Sequence, residues 1–408
     1  MKCNCAGQED KMQKRVLVLA SVASMIDQFN IPNIRLLQEM GYEVHVLCNF
    51  KKGSTCDARR IRELRQMLAR IRVICHSWDC PRNIFSVAAC LLAGRQLWKL
   101  MKRHRYSLIH CQSPVGGALA RIVAHYRKIP VIYTAHGFHF YKGAPFQNWM
   151  LYYPVERLLS YWTDVLITVN REDYEFARKH LRAGKVFWIP GVGIDVNRYQ
   201  KSKEEAGRSE MRSWFCSKYH IPQEAKILLS VGELNRGKNH KIVIEALAKL
   251  PRQDVYYVIC GQGGRKKKLL RYACKMGVAQ RLRMPGYQKR MHQIYPNVDI
   301  FVFPSRREGM PVALMEAMAA GLPCVVSDIR GNRELIDWHK GALFCPDSAV
   351  QLTETLTALL DDEPERNRYG VWNQKKIRKY DSSVVNKRMR RIYEWLKNIG
   401  QDLNGDVC

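Results

Sequence analysis

The run 299-DIFVFPSRREGMPVALMEAMAAGLPCVVSD-328 decides the fold of this chain. It opens with an apolar strand over 299–304, passes through a short polar loop and continues as a helix from about Pro311. Gly321 stops that helix, and a second apolar strand follows over 324–327. Proline in a first helical turn and glycine just past a last turn are the expected punctuation. Strand, loop, helix and strand in that order make one unit of a parallel α/β sheet. Two carboxylates, Glu308 and Glu316, are thereby set at the carboxyl end of a strand and on the helix that follows it. Open α/β sheets bind their ligands at that place.

The chemistry of the segment suits a nucleotide sugar. A carboxylate accepts two hydrogen bonds at once, which matches the vicinal hydroxyls of a ribose or a hexose. The backbone N–H groups of Gly309, Met310 and the first helical turn can face an anion, because a helix start carries partial positive charge. Pro311 has no N–H to give and only shapes the turn. The bland alternative is an amphipathic helix with two solvated glutamates. The segment resembles the donor-binding motif of glycosyltransferase family 4, retaining enzymes with the GT-B fold. The resemblance implies that Glu308 contacts the transferred sugar and Glu316 the ribose of the nucleotide.

Working outward, 408 residues exceed one ordinary core and fit about two domains. Strands are expected at 16–22, 42–48, 71–75, 107–111, 129–134, 164–169 and 186–189, alternating with helices at about 30–40, 57–69, 84–104, 116–127, 147–161 and 171–181. The pattern breaks around 190–207 and restarts with 226-KILLSVGEL-234, followed by a helix at 239–249, a strand at 255–260, a helix at 265–276, a short strand near 281–284 and a helix near 289–296. The fold expected is α/β, with two doubly wound, Rossmann-like domains. The resemblance implies that they face a cleft as in GT-B. The expected divisions are 1–195 for the acceptor side, 208–380 for the donor side, and 381–408 for a C-terminal helix returning to the first domain. Lys11, Lys14 and Arg15 before 16-VLVLASVASMI-26 mimic a secretory leader. The helix and the strand 42-YEVHVLC-48 that follow complete a β-α-β unit, so the run is read as a strand. No run approaches the roughly 20 apolar residues of a membrane span.

The second domain's first turn, 231-VGELNRGKNHK-241, joins a strand to a helix and can aim N–H groups and cations at a phosphate. The family pattern there is Gly-Arg and then a Lys. Gly232 and Lys238 match it; Glu233 stands where the Arg belongs, and Arg236 or Lys241 is a candidate replacement. No Asp-x-Asp occurs, so the diphosphate is expected to be held by cations and amides, with no metal and no cofactor. In 260-CGQGGRKKKL-269, Gly261 and Gly263 permit close backbone approach by a ligand, although such turns are as often mere connections. In 285-PGY-287, Gly286 and Tyr287 match the place where the family holds the base.

In the first domain, 131-VIYTAHGFHFYKGAP-145 ends a strand in His136-Gly137. A histidine there is more often structural than catalytic, but the family places one beside the sugar hydroxyls, and His136 matches it. His139 and Lys142 are candidates for the acceptor side. The whole string is similar to a subgroup of bacterial enzymes that build exopolysaccharide or capsule repeat units on a lipid carrier, which implies a lipid-linked saccharide acceptor. Many family members carry a glycine pair after the first strand; 21-SVASMIDQFNIP-32 has none, while Gly116 and Gly117 open the helix of 113-SPVGGALA-120.

The net charge is +30, which on physical grounds points to nucleic acid or an anionic membrane. Basic residues crowd 51–105, including Lys51, Lys52, Arg95, Lys99, Lys102 and Arg103, and 84-IFSVAACLLAGRQLWKLMKR-103 is apolar with Trp98 near its basic end. That composition suits an anionic membrane surface; the alternative is a core helix with a solvated basic end. The fourteen cysteines are scattered, with no repeated Cys-x-x-Cys pair and no Cys/His cluster at zinc spacing. Several, such as Cys48, Cys75, Cys111 and Cys260, lie in apolar strands and read as reduced core residues of a cytoplasmic protein. The expectation is therefore a peripheral enzyme at the inner face of the plasma membrane. It would be a hexosyl- or N-acetylhexosaminyltransferase that moves a sugar from a nucleotide diphosphate donor, expected to be UDP-linked, to a lipid-linked saccharide, with the retention that the resemblance implies. The rivals are a UDP-sugar 2-epimerase of the same fold, and a basic nucleic-acid-binding protein, which lacks recognition modules here.

Overall fold

The computed structural model describes residues 13–51, 56–200, 205–337 and 342–405. Lys11, Lys52 and the end of the expected C-terminal segment lie outside these residues. The chain divides into two compact units. The first comprises Met1–Val169, Asp173–Ile189 and Arg388–Cys408, and the second Asn170–Glu172 and Pro190–Lys387.

In the first unit seven parallel strands form one sheet: β1 (Arg15–Leu19), β2 (Glu43–Cys48), β3 (Ile74–Ser77), β4 (Leu108–Gln112), β5 (Val131–Ala135), β6 (Val165–Thr168) and β7 (Lys185–Trp188). Their order is β3-β2-β1-β4-β5-β6-β7. β1 is central, with Val16 registered against both Val44 and Leu108. Four of its five residues are buried, as a strand covered on both faces requires. β1 stops at Leu19, earlier than its apolar run suggests, because a helix, Ala23–Phe29, takes up the rest. A second helix, Ile31–Glu39, restarts after Asn30 with Pro32 in its first turn, where the missing N–H costs nothing. The described cysteines are all free thiols; Cys48, Cys111 and Cys260 are buried, whereas Cys75, on the edge strand β3, is half exposed.

The second unit repeats the plan with β8 (Lys226–Val231), β9 (Val255–Cys260), β10 (Leu282–Gly286), β11 (Ile300–Phe303), β12 (Cys324–Ser327) and β13 (Ala342–Phe344). The order is β10-β9-β8-β11-β12-β13, all pairs parallel. The expected helix near 289–296 is instead two short 3₁₀ turns, Met291–Gln293 and Tyr295–Asn297. Pro296 removes a helical donor and biases the residue before it away from the α conformation. A helix at Glu205–Tyr219 was hidden in the sequence by charges and Gly207, and is anchored by the buried Phe215 and Cys216. The last helix, Ser382–Gly405, begins in the second unit, and from Arg388 onward belongs to the first. There the Tyr393 hydroxyl lies 2.8 Å from His110 Nδ1 and Trp395 packs edge-on to Phe187.

Gly261 follows β9, and a Cβ at this position would lie 1.8 Å from the Gly232 carbonyl oxygen. The two backbones touch, so no side chain fits. Gly261→Ala should destabilise the second unit by about 1–3 kcal/mol, the usual range for overpacking a tight contact; urea denaturation of the two proteins measures it.

Candidate functional site

β8 and β11 are neighbours in the second sheet, yet the chain leaves β8 towards β9 on one side and β11 towards β12 on the other. The reversal makes a topological switch point at their carboxyl ends. The loops that leave these two strands meet there, where the Arg306 N–H donates to the Gly237 carbonyl at 2.8 Å. Lys238, from the first loop, puts its ammonium 2.6 Å from Glu308 Oε1, from the second. The pair is half buried, with side-chain exposures of 25% and 15%. The Lys238 backbone N–H is held by Asn235 Oδ1, and its ammonium lies 5.0 Å from the centre of the Phe303 ring. Its stem lies along Gly232, where a Cβ would stand 3.2 Å from the Lys238 side chain. Gly232 thus leaves room for the lysine.

The helix after Glu308, Val312–Ala319, has no side-chain cap. Among the described residues, no protein acceptor takes the N–H of Gly309 or Met310. These amides are available to an anion, while the Met310 side chain packs inward against Gly191. Gly331 supports the loop from below; a Cβ there would come within 2.7 Å of the Gly309 carbonyl. One helical stretch further on, Glu316 accepts hydrogen bonds from the Tyr199 hydroxyl at 2.7 Å and the Tyr295 hydroxyl at 2.9 Å, one on each oxygen. Burial pushes the Glu316 carboxyl above its ordinary range, and the two tyrosines oppose that shift. A carboxylate offers about four lone pairs, so acceptor capacity remains beyond the two phenols.

Of the residues singled out by sequence, the fold brings Lys238, Gly232, Glu308, Gly309, Met310 and Glu316 into one neighbourhood. Arg236 and Glu233 are exposed on the same loop, and Lys238, not Arg236, lies against Glu308. The close approach that Gly261 permits is that of the chain's own Gly232 carbonyl, and the approach at Gly263 is that of Leu234. Contacts within the chain thus account for the absence of a side chain at both positions. Gly286 ends β10 with a φ of +80° and open space where a Cβ would be, and Tyr287 beside it is 60% exposed. Tyr199 and Tyr295 were not legible in the sequence. Tyr199 lies in the stretch where the pattern breaks, and no motif marks either residue.

In the first unit, the same reversal of strand order lies between β1 and β4. The Ser21 and Ser113 hydroxyls are 2.8 Å apart and the Gly116 N–H donates to Ser21 Oγ at 3.0 Å. Serine cross-links therefore occupy the turn that holds glycines in the family. His136 follows β5, with Nε2 2.6 Å from Gln112 Oε1 and its ring 5.2 Å from that of Phe29. Burial holds its pKa down at about 4, so the ring is neutral at pH 7. His139 packs on Tyr152 at 4.5 Å, and Lys142 is exposed.

Residues 34–198 match the family described as Glycosyltransferase Family 4, and residues 215–376 match Glycosyl transferases group 1. EpsD of Bacillus subtilis, a glycosyltransferase by name, is 32% identical over 94% of this chain and 97% of its own length. The UDP-Gal:alpha-D-GlcNAc-diphosphoundecaprenol alpha-1,3-galactosyltransferase of Escherichia coli is 31% identical over 59% of this chain and 62% of its own. Among solved structures, Anabaena Alr3699/HepE in complex with UDP and glucose has the same fold, with a TM-score of 0.75 over 95% of this chain and all of the other, at 18% identity. A relative matched along nearly its whole length, and two sugar-transferring families matched in succession, give one answer: the chain belongs to the GT-B glycosyltransferases of family 4.

Proposed function

We propose that the protein is a retaining transferase that moves a hexosyl or N-acetylhexosaminyl group from a UDP-sugar to a hydroxyl of a lipid-linked saccharide, in the synthesis of a surface polysaccharide. The observation that carries this reading is the Lys238–Glu308 pair at 2.6 Å beside an uncapped helix start. A cation, open amides and a carboxylate are the groups that a sugar diphosphate needs, in the order diphosphate, then sugar. Glu308 would take the sugar hydroxyls, Lys238 and the Gly309 and Met310 amides the diphosphate, and Glu316 the ribose. Gly286 and Tyr287 would meet the base, with Arg236 a further cation of the loop. The neutral His136 ring can hydrogen-bond with a sugar hydroxyl. In the step itself the anomeric carbon–oxygen bond to the diphosphate breaks and the acceptor oxygen bonds on the same face. The acceptor proton passes to the departing diphosphate. UDP as the nucleotide and a lipid diphosphate as the acceptor carrier are supported by the E. coli relative's name, and UDP also by the ligand of the Anabaena structure.

The first unit supplies a surface for such an acceptor. On the helix Val87–Arg103 only Ala93, Leu97 and Met101 are buried, while Val87, Leu91, Leu92 and Trp98 are exposed, as is Phe85 just before it. The helix Phe146–Ser160 exposes Phe146, Met150 and Leu158. Its Leu151 and Val155 line a cavity together with Arg82, Ile84 and Tyr133. No described helix is long and apolar enough to cross a membrane. Exposed apolar side chains among Arg95, Lys99, Lys102 and Arg103 suit insertion into the headgroup layer of an anionic bilayer.

Incubation with a panel of UDP-sugars and a lipid diphosphate saccharide should give transfer that survives EDTA, since cation and amide donors of this kind are each worth about 3 kcal/mol in a transition state. Glu308→Gln should lower kcat by roughly 10²–10³-fold in a folded protein. An epimerised sugar without transfer, or unchanged turnover in the variant, overturns the reading.

Glu316 separates binding from stability. Its carboxyl titrates higher in the folded than in the unfolded chain, so its contribution to stability is fully present below the unfolded pKa and is lost as pH rises through the folded pKa. Glu316→Gln should raise the KM for the donor and also raise Tm at pH 8, with the gain in Tm shrinking towards pH 4; paired thermal melts and donor titrations check both.

For the membrane, the double variant Leu91→Glu, Leu92→Glu should stop sedimenting with phosphatidylglycerol vesicles at low salt while transfer to a water-soluble acceptor analogue continues.

A further inference from the structure

Three histidines far apart in the sequence converge in the first unit, on the side of β1 away from β4. His45 lies within β2 and is buried; His76 lies within the edge strand β3; His104 caps the helix Val87–Arg103. One ring nitrogen from each lies within 4.8 Å of the others. His76 Nε2 is 3.0 Å from His45 Nδ1. The His104 ring stands edge-on to His45 at 5.0 Å and 5.4 Å from the ring of His76. We propose that His45, His76 and His104 together bind one divalent transition-metal ion of the zinc class.

The surroundings of His45 favour this over a chance meeting of rings. Its Nε2 lies 2.8 Å from Glu43 Oε1, and the other oxygen of Glu43 accepts from Arg15 Nε at 3.1 Å. A carboxylate only accepts hydrogen bonds, so the proton of His45 sits on Nε2 and its lone pair on Nδ1, the atom that faces His76. A carboxylate behind a ligating imidazole is the usual second partner in metal sites, because it fixes both tautomer and ring orientation. Three imidazoles with a fourth position open are a recognised ligand set for zinc. In the metal-free chain the Tyr106 hydroxyl donates to His45 Nδ1 at 2.8 Å, and it would yield that lone pair to a bound ion. Bound there, an ion would tie the edge strand β3 to β2 and to the end of the helix Val87–Arg103. This site lies in the first unit and Glu308 and Lys238 lie in the second, so the proposal is independent of how sugar transfer occurs.

The test uses the full chain, stripped with a chelator, desalted, and titrated with ZnCl2 by calorimetry and CoCl2 by absorption. The expected result is one equivalent bound per chain, visible cobalt bands of a tetrahedral site without thiolate charge transfer, and a rise in Tm with zinc. His76→Ala and His104→Ala, both at half-exposed positions, should lose that equivalent, and Glu43→Gln should weaken it by about 10- to 100-fold. The proposal is overturned by an absence of saturable binding, by thiolate charge transfer that assigns the metal to cysteines, or by folded histidine variants that bind as the wild type does. The wild-type cobalt spectrum decides the matter alone if the variants fail to fold.

Discussion

The parallel pairing of β11 with β8 is the constraint on which the second unit turns. Ile300 lies opposite Leu228 and Phe301 opposite Leu229, all fully buried. That register fixes the carboxyl ends of the two strands side by side. Because the chain diverges from them in opposite directions, a crevice opens between the loops at their ends. Two loops share it, and each contributes one charge. The attraction between Lys238 and Glu308 is stronger in that half-buried place than it would be in open solvent, and it keeps both side chains from collapsing onto apolar neighbours. In the function proposed above, a ligand diphosphate would bring its own charge to compete for the lysine, and the pair would serve as a preorganised site more than as a brace for the fold.

Glu316 shows the opposite balance. Its carboxylate is buried, and burial of a charge is unfavourable unless hydrogen bonds compensate. Two phenols supply them. Tyr199 comes from the segment between the two units' main sheets and Tyr295 from a 3₁₀ turn, so three separate parts of the unit must be in place before this carboxylate is oriented.

The first unit is asymmetric in another way. Its sheet is an ordinary doubly wound core, but two of its helices present apolar side chains outward. A surface of this kind among basic residues is unfavourable in water and favourable against an anionic lipid layer. The chain's charge of +30 has the same sign along much of this region, and the proposed diphosphate substrate would engage only a small part of it.

Local patterning was enough for much of this. Apolar runs of strand length, the Pro311–Gly321 punctuation and the restart at Lys226 determined most of the strands, though not β13, the doubly wound class, and the placing of Glu308 and Lys238 in loops after strands and of Glu316 on the helix that follows, since each signal is carried by residues adjacent in the chain. Contacts between distant segments were beyond it. The Lys238–Glu308 pair, the two tyrosines on Glu316, the contact of Gly261 with the Gly232 carbonyl and the meeting of His45, His76 and His104 depend on which strands become neighbours and in what register. No local pattern records that choice; only burying both sheets' apolar faces at once decides it, and so those groups became visible in the tertiary structure alone.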